Sequence, residues 1–132
     1  MEVRYVKNHP ILGASRRVLI VDRSAESREV FRTVLQRRGM KILEAEEPLQ
    51  GLELARQHTP DLIVLDVEAV AHSKYDVCAD YSRQTRDQNT PLVLLGASRD
   101  QENSDKRRQC VRKPYHYGPL IRKIEELLSQ AD

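Results

Sequence analysis

Charged residues stand where three apolar runs break off. Val18-Leu19-Ile20-Val21 ends at Asp22, Leu62-Ile63-Val64-Leu65 ends at Asp66, and the short run Cys110-Val111-Arg112 ends at Lys113. A fourth run, Leu92-Val93-Leu94-Leu95, ends at Gly96. If these runs are neighbouring strands of a parallel sheet, two carboxylates and one ammonium meet on one rim. That rim, at the C-terminal strand ends, is where open α/β sheets bind ligands. Any of the three alone could be an ordinary surface residue. Their shared position at the ends of apolar strands argues for a charged pocket instead. Other chemistries are poorly supplied. The five glycines (Gly13, Gly39, Gly51, Gly96, Gly118) form neither G-x-G-x-x-G nor a P-loop, and there is no nucleophile elbow. Cys78 and Cys110 sit in no paired metal spacing and read as reduced thiols. His9, His58, His72 and His116 are scattered, which argues against a structural metal site.

The elements that would position these residues follow from the pattern. The unbroken apolar runs suit strands buried on both faces, as in parallel sheets. Ser24 is a good N-cap for a helix that buries Val30, Phe31, Val34 and Leu35, and Gly39 stops it. Lys41 to Ala45 reads as a second strand. A second helix starts at Pro48, buries Leu49, Leu52 and Ala55, and ends at Thr59-Pro60. A less hydrophobic helix is expected from Tyr75 to about Arg86. Ser98 to Gln109 is almost entirely polar and has no apolar stripe for a packed helix. The last helix begins near Gly118-Pro119 and buries Leu120, Ile121, Ile124, Leu127 and Leu128. Five strands alternating with helices predict a doubly wound parallel sheet. Residues 1–15 read as a flexible arm and 16–132 as one domain.

With 132 residues the chain can bury one core. A formal charge of +2 is too small to point to nucleic acid or membrane. The cluster Lys106, Arg107, Arg108, Arg112 and Lys113 reads as a solvated face, with a nucleic-acid contact as its competing use. No membrane span or signal core is present, so the expected location is the cytoplasm.

Four segments together resemble the receiver domains of bacterial response regulators. They are Val18–Asp22, Pro60–Asp66, Pro91–Ala97 and Val111–Pro114, and the resemblance spans roughly residues 17–129. It implies the flavodoxin-like strand order 2-1-3-4-5. It places Asp66 at the phosphoacceptor position, where its carboxylate would attack the phosphorus of a kinase's phosphohistidine. Asp22 would be one of two neighbouring acids that, with Asp66, hold Mg²⁺. Lys113 would pair with phosphoryl oxygens, and Lys113-Pro114 matches a peptide bond that is cis in the family. The implied partners are a histidine kinase or phosphotransfer protein and a downstream protein target.

The sequence departs from the pattern around the pocket. Arg23 replaces the second acid, Gly96 the hydroxyl residue after the fourth strand, Cys110 the aromatic switch residue, and Val70 a proline. The stretch from Gly96 to Lys113 is short by about five residues, more than one helical turn, so the fourth helix is expected to be short or missing. With Arg23 and Lys113 facing Asp22 and Asp66, the pocket is formally neutral without metal. A dication ~5 Å from a guanidinium would be repelled by several kcal/mol even at an effective dielectric of ~20. Two readings follow. One is a stand-alone phosphoaccepting receiver that signals by binding another protein, not by catalysing metabolism. The other is a pseudo-receiver docking module in which Arg23 reaches toward Asp66 and replaces the ion. Glu68, two residues beyond Asp66, either restores a carboxylate or faces water. An α/β enzyme or nucleotide binder is a third, weaker alternative.

Overall fold

Alternate residues of a strand point to opposite faces, so an apolar run without polar alternation needs cover on both sides. The computed structural model provides it. Residues 15–70, 77–96 and 108–130 are described. Strands β1 (Arg17–Val21), β2 (Lys41–Ala45), β3 (Leu62–Asp66), β4 (Leu92–Leu95) and β5 (Arg108–Val111) form one sheet in the order β2-β1-β3-β4-β5. Every pairing is parallel. The expected strand order and parallel pairing are therefore those observed.

Helices α1 (Ala25–Arg37) and α5 (Tyr117–Ser129) cover one face. There Val18, Ile20, Val64 and Val93 pack with Phe31, Leu35, Leu120 and Ile124. Helices α2 (Pro48–His58) and α4 (Val77–Gln88) belong to the other face, where Leu19, Val21, Ile63 and Leu94 pack with Leu52, Ala55 and Tyr81. A four-residue helix, α3 (Val67–Val70), follows β3 directly and was not expected from the sequence. Ser24 caps α1 as predicted, its Oγ accepting from the Ser27 N–H at 3.2 Å.

The α2 face closes unusually tightly. Tyr81 is fully buried and its hydroxyl donates to the Pro48 carbonyl at 2.6 Å. A Cβ at Gly51 would collide with the Tyr81 hydroxyl and lie 2.7 Å from a Val21 methyl. Glycine is required there by close approach of helix to strand.

Three expectations need correction. Leu49 is 55% exposed. The buried stripe of α2 runs Pro48, Gly51, Leu52, Ala55, and Leu49 lies one residue, about 100° of helix, away from Pro48. Strand β5 starts at Arg108, two residues early, and ends before Arg112. Pairing with β4 decides this, not side-chain polarity: Arg108 sits opposite Leu92 and its guanidinium donates to Ser82 Oγ at 2.6 Å. Helix α4, described over Val77–Gln88, runs two residues past the expected end near Arg86. The arm over residues 1–14, Tyr75, and positions 97–107, on which the length of a helix between β4 and β5 depends, lie outside the described residues.

Candidate functional site

Sheet register brings the two aspartates together. Val21 pairs with Leu65, so Asp22 and Asp66 are the next neighbours at the rim. The Asp22 N–H still donates to the Ala45 carbonyl at 3.0 Å, which extends the β1 ladder by one bond. Asp22 Oδ1 accepts from the Ser24 N–H at 2.8 Å, a turn that leads into the α1 cap. Arg28 of α1 donates to the Asp22 carbonyl and, at 3.2 Å, to Glu44 Oε1 on β2. The strand end is thus tied to two elements.

Asp66 is held from both sides. Its Oδ1 accepts from the Glu68 N–H at 2.9 Å, and its Oδ2 accepts from Lys113 Nζ at 2.7 Å. Lys113 Nζ also lies 3.3 Å from Glu68 Oε1. Lys113 arrives from the loop after β5, where the Lys113-Pro114 peptide bond is cis, as the resemblance implied. Asp22, Asp66 and Lys113 therefore converge. With Arg23, Ser24, Ser27, Glu68 and Ala69 they line an open cavity of about 380 Å³.

Electrostatics sharpen this picture. Asp22 is only 3% exposed and its Oδ2 has no hydrogen-bond partner among the described residues. Burial pushes its carboxyl above the ordinary range. The Ser24 N–H works against burial, the Asp66 charge adds to it, and Lys113 and Arg28 oppose it. Burial alone would lower the Lys113 ammonium, but the hydrogen bonds and charges of Asp66 and Glu68 outweigh it and move the pKa up.

Arg23 does not reach toward Asp66. Its guanidinium lies 3.8 Å from Glu47 Oε1, and both side chains are more than half exposed. Lys113 holds the Asp66 carboxylate that Arg23 was expected to reach, and Arg23 pairs with Glu47 instead. The neutral pocket expected from the sequence is corrected accordingly. Glu47 offsets Arg23 at the cavity mouth, and Asp22, Asp66 and Glu68 face one ammonium. Two negative charges are in formal excess.

Gly96 is not among the residues lining the cavity. It stands at φ 88° against the aliphatic stem of Lys113, and its N–H donates to the Val111 carbonyl at 2.6 Å. A left-handed turn at the end of β4 explains glycine at this position. Cys110 packs on the α2 and α4 side of the sheet, and neither cysteine is in a disulfide. Tyr115 and Tyr117 are half-buried, stacked edge to face at 5.4 Å, with Tyr117 against Phe31 at 5.3 Å. Within the basic cluster Arg108 turns to Ser82 while Lys113 enters the pocket; Lys106 and Arg107 lie outside the described residues. Sequence reasoning missed Arg28 and Glu47. Their only signal was a charge opposite in sign to a neighbour on another element, which spacing cannot resolve.

A family model, the response regulator receiver domain, matches residues 18–124. The chain belongs to that family. It is 28% identical over 120 residues to Protein PilH of Pseudomonas aeruginosa, covering 86% of this chain and 98% of that one. It is 30% identical over 89 residues to the probable transcriptional regulator ycf27 of Guillardia theta, covering 67% of this chain but only 34% of that longer protein. The fold is similar to the chemotaxis protein CheY4 of Vibrio cholerae, with TM-score 0.71, 22% identity, and coverage of 86% and 99%. Receiver domains are signalling modules of two-component pathways and commonly bind Mg²⁺ at the phosphorylation site.

The residues present fit such an ion. Among the described residues no group of three or more His, Cys, Asp or Glu side chains is arranged to hold a metal ion. Mg²⁺ does not need one, because it keeps several waters and often takes one or two carboxylates plus phosphate oxygens. The unpartnered Asp22 Oδ2 beside Asp66 offers such a donor set. No helix among the described residues is long and apolar enough to cross a membrane.

Proposed function

We propose that the domain accepts a phosphoryl group on Asp66 and passes the signal on by binding another protein. The carrying observation is the buried Asp66 carboxylate, fixed by Lys113 and the Glu68 N–H, beside the unpartnered oxygen of Asp22 in an open cavity. A carboxylate oxygen of Asp66 would attack the phosphorus of a phosphohistidine. The phosphorus–nitrogen bond breaks and its electron pair stays on the imidazole. Lys113 is placed to follow the oxygens as charge develops, which is the main catalytic need of such a transfer. When held by Asp22 and Asp66, Mg²⁺ would supply further neutralisation of phosphoryl charge. The donor would be a histidine kinase or a phosphotransfer protein.

The readout must differ from the family pattern, because Gly96 has no hydroxyl and Cys110 no ring. That favours, as a second reading, a docking module indifferent to phosphorylation. Arg23 turned to Glu47 removes the part of that reading in which Arg23 stands in for the metal. Intact-mass measurement separates the two. With Mg²⁺ and either a kinase or acetyl phosphate, the chain should gain one phosphoryl group, and Asp66→Asn should not. A folded wild-type chain that gains nothing from either donor supports the docking module.

A further inference from the structure

We propose that Arg23 is a movable ligand for the phosphoryl group. It pairs with Glu47 while Asp66 is unmodified, and turns inward to the phosphoryl oxygens once Asp66 carries them. The inference rests on reading Asp66 as the phosphoacceptor and adds a switching contact to that reading.

Position comes first. Arg23 follows Asp22 directly in the chain and lines the same cavity as Asp66 and Lys113. Its guanidinium points outward, 3.8 Å from Glu47 Oε1, with the two side chains 53% and 58% exposed. That separation is too long for a hydrogen bond, and an ion pair so exposed holds its partners weakly. The resting position is therefore easily left. Nothing on Asp66 draws Arg23 in beforehand, because each of its oxygens already accepts a hydrogen bond, from Lys113 Nζ and from the Glu68 N–H.

Charge and donor supply then favour the move. A phosphoryl group brings up to two negative charges and three strong acceptor oxygens into a cavity where carboxylates already outnumber the ammonium. Gly96 has no hydroxyl to offer these oxygens and does not line the cavity. A guanidinium presents a planar fork of N–H donors that matches a pair of phosphoryl oxygens. The move has a consequence at Glu47. This residue is the N-cap of α2, yet its side chain makes no capping hydrogen bond. Released from Arg23, its carboxylate is left to the positive end of the helix, where negative charge is stabilising. Phosphorylation thus reaches α2 by a route that needs neither Gly96 nor Cys110.

The test is titration of the isotopically labelled full chain with fluoroberyllate, a stable mimic of an aspartate-bound phosphoryl group, followed by NMR. Saturating MgCl₂ keeps any change in cation affinity out of the comparison. Wild type, Arg23→Gln, Arg23→Lys and Glu47→Gln are compared, each checked for folding by circular dichroism. Glu126→Gln is the control, since Glu126 forms an equally long exposed pair with Lys123 on α5. Arg23→Gln should weaken fluoroberyllate binding about tenfold through loss of charge-assisted hydrogen bonds, with Arg23→Lys in between. Glu47→Gln should tighten it about twofold by removing the competing pair, and should have no effect once Arg23 is Gln. The Arg23 side-chain N–H signal should shift on binding. Arg23→Gln binding as tightly as wild type, an Arg23 signal unmoved at saturation, or Glu126→Gln acting as strongly as Glu47→Gln would overturn the proposal. Any of these results with fluoroberyllate bound at Asp66 removes only the role of Arg23. A wild type whose Asp66 takes neither fluoroberyllate nor a phosphoryl group removes the phosphoacceptor, and the switch with it.

Discussion

Replacing Asp22 with asparagine removes a charge from a position 3% exposed, and the fold should become more stable for it. In the wild type one carboxylate oxygen has a partner, the Ser24 N–H, and the other has none. A buried polar group left unpaired costs about 1–3 kcal/mol, and more when charged. Repulsion from Asp66 adds to that cost, while Lys113 and Arg28 offset part of it. Asparagine keeps an oxygen for Ser24 but makes a neutral bond there, about 1 kcal/mol weaker than the charge-assisted one. The net expectation is a gain of about 1 kcal/mol at neutral pH, or about 4 °C in melting temperature for a domain of this size. The pH dependence has a definite sign. The Asp22 pKa is raised in the folded state above its ordinary 3.8. The folded protein therefore holds the extra proton between the two values, and wild-type stability falls as pH rises through that window. The advantage of Asp22→Asn should be absent below about pH 3.8 and grow as pH rises through the folded-state pKa. Urea denaturation of both proteins from pH 4 to 8, without divalent ions, reads this directly. An asparagine variant less stable than wild type at neutral pH would refute the reasoning, because it would mean that Asp22 is satisfied, not strained.

Gly51→Ala should destabilise by about 2 kcal/mol through overpacking against Val21 and Tyr81, although alanine is the better helix former by about 1 kcal/mol. A thermal melt decides which effect wins, and a neutral or stabilised variant would show that the contact yields. Lys113→Met should cost about 1 kcal/mol, discounted for the partial exposure of the pair. Because the Lys113 pKa is raised in the folded state, that difference should be complete below about pH 10.5 and fade above it. Denaturation curves at pH 8 and 11 measure it, and a difference that does not shrink at high pH would point to lost packing of the aliphatic stem.

Much of the fold was legible because parallel strands buried on both faces leave an unbroken apolar run, and each run here ends where the strand ends. Asp22, Asp66 and Lys113 could be placed together for the same reason: the register of neighbouring strands follows from their common end. Strand β5 was harder. An edge strand needs apolar side chains less, so Arg108 and Gln109 looked like loop. Leu49 misled because its hydrophobicity matched the helix while its angle did not. Helix α3, a single turn, offers no periodicity to detect. The direction of Arg23 could not be read at all, since it depends on Glu47, which comes from a different loop 24 positions away. The formal charge of the pocket moved from zero to an excess of two negative charges once Arg23 was paired with Glu47 and Glu68 was counted, and with it the prospects for a cation.

Fluoroberyllate mimics an aspartyl phosphate without the chemistry, and NMR of the isotopically labelled chain reports where it binds. In the presence of Mg²⁺, the largest shifts should fall on the amides of Asp66 and Glu68 and on the ammonium of Lys113, and they should vanish when Mg²⁺ is withdrawn. Shifts confined to residues away from the Asp22, Asp66 and Lys113 rim, or no shifts at all in a folded sample saturated with both ions, would contradict the assignment of this pocket as a phosphoacceptor site.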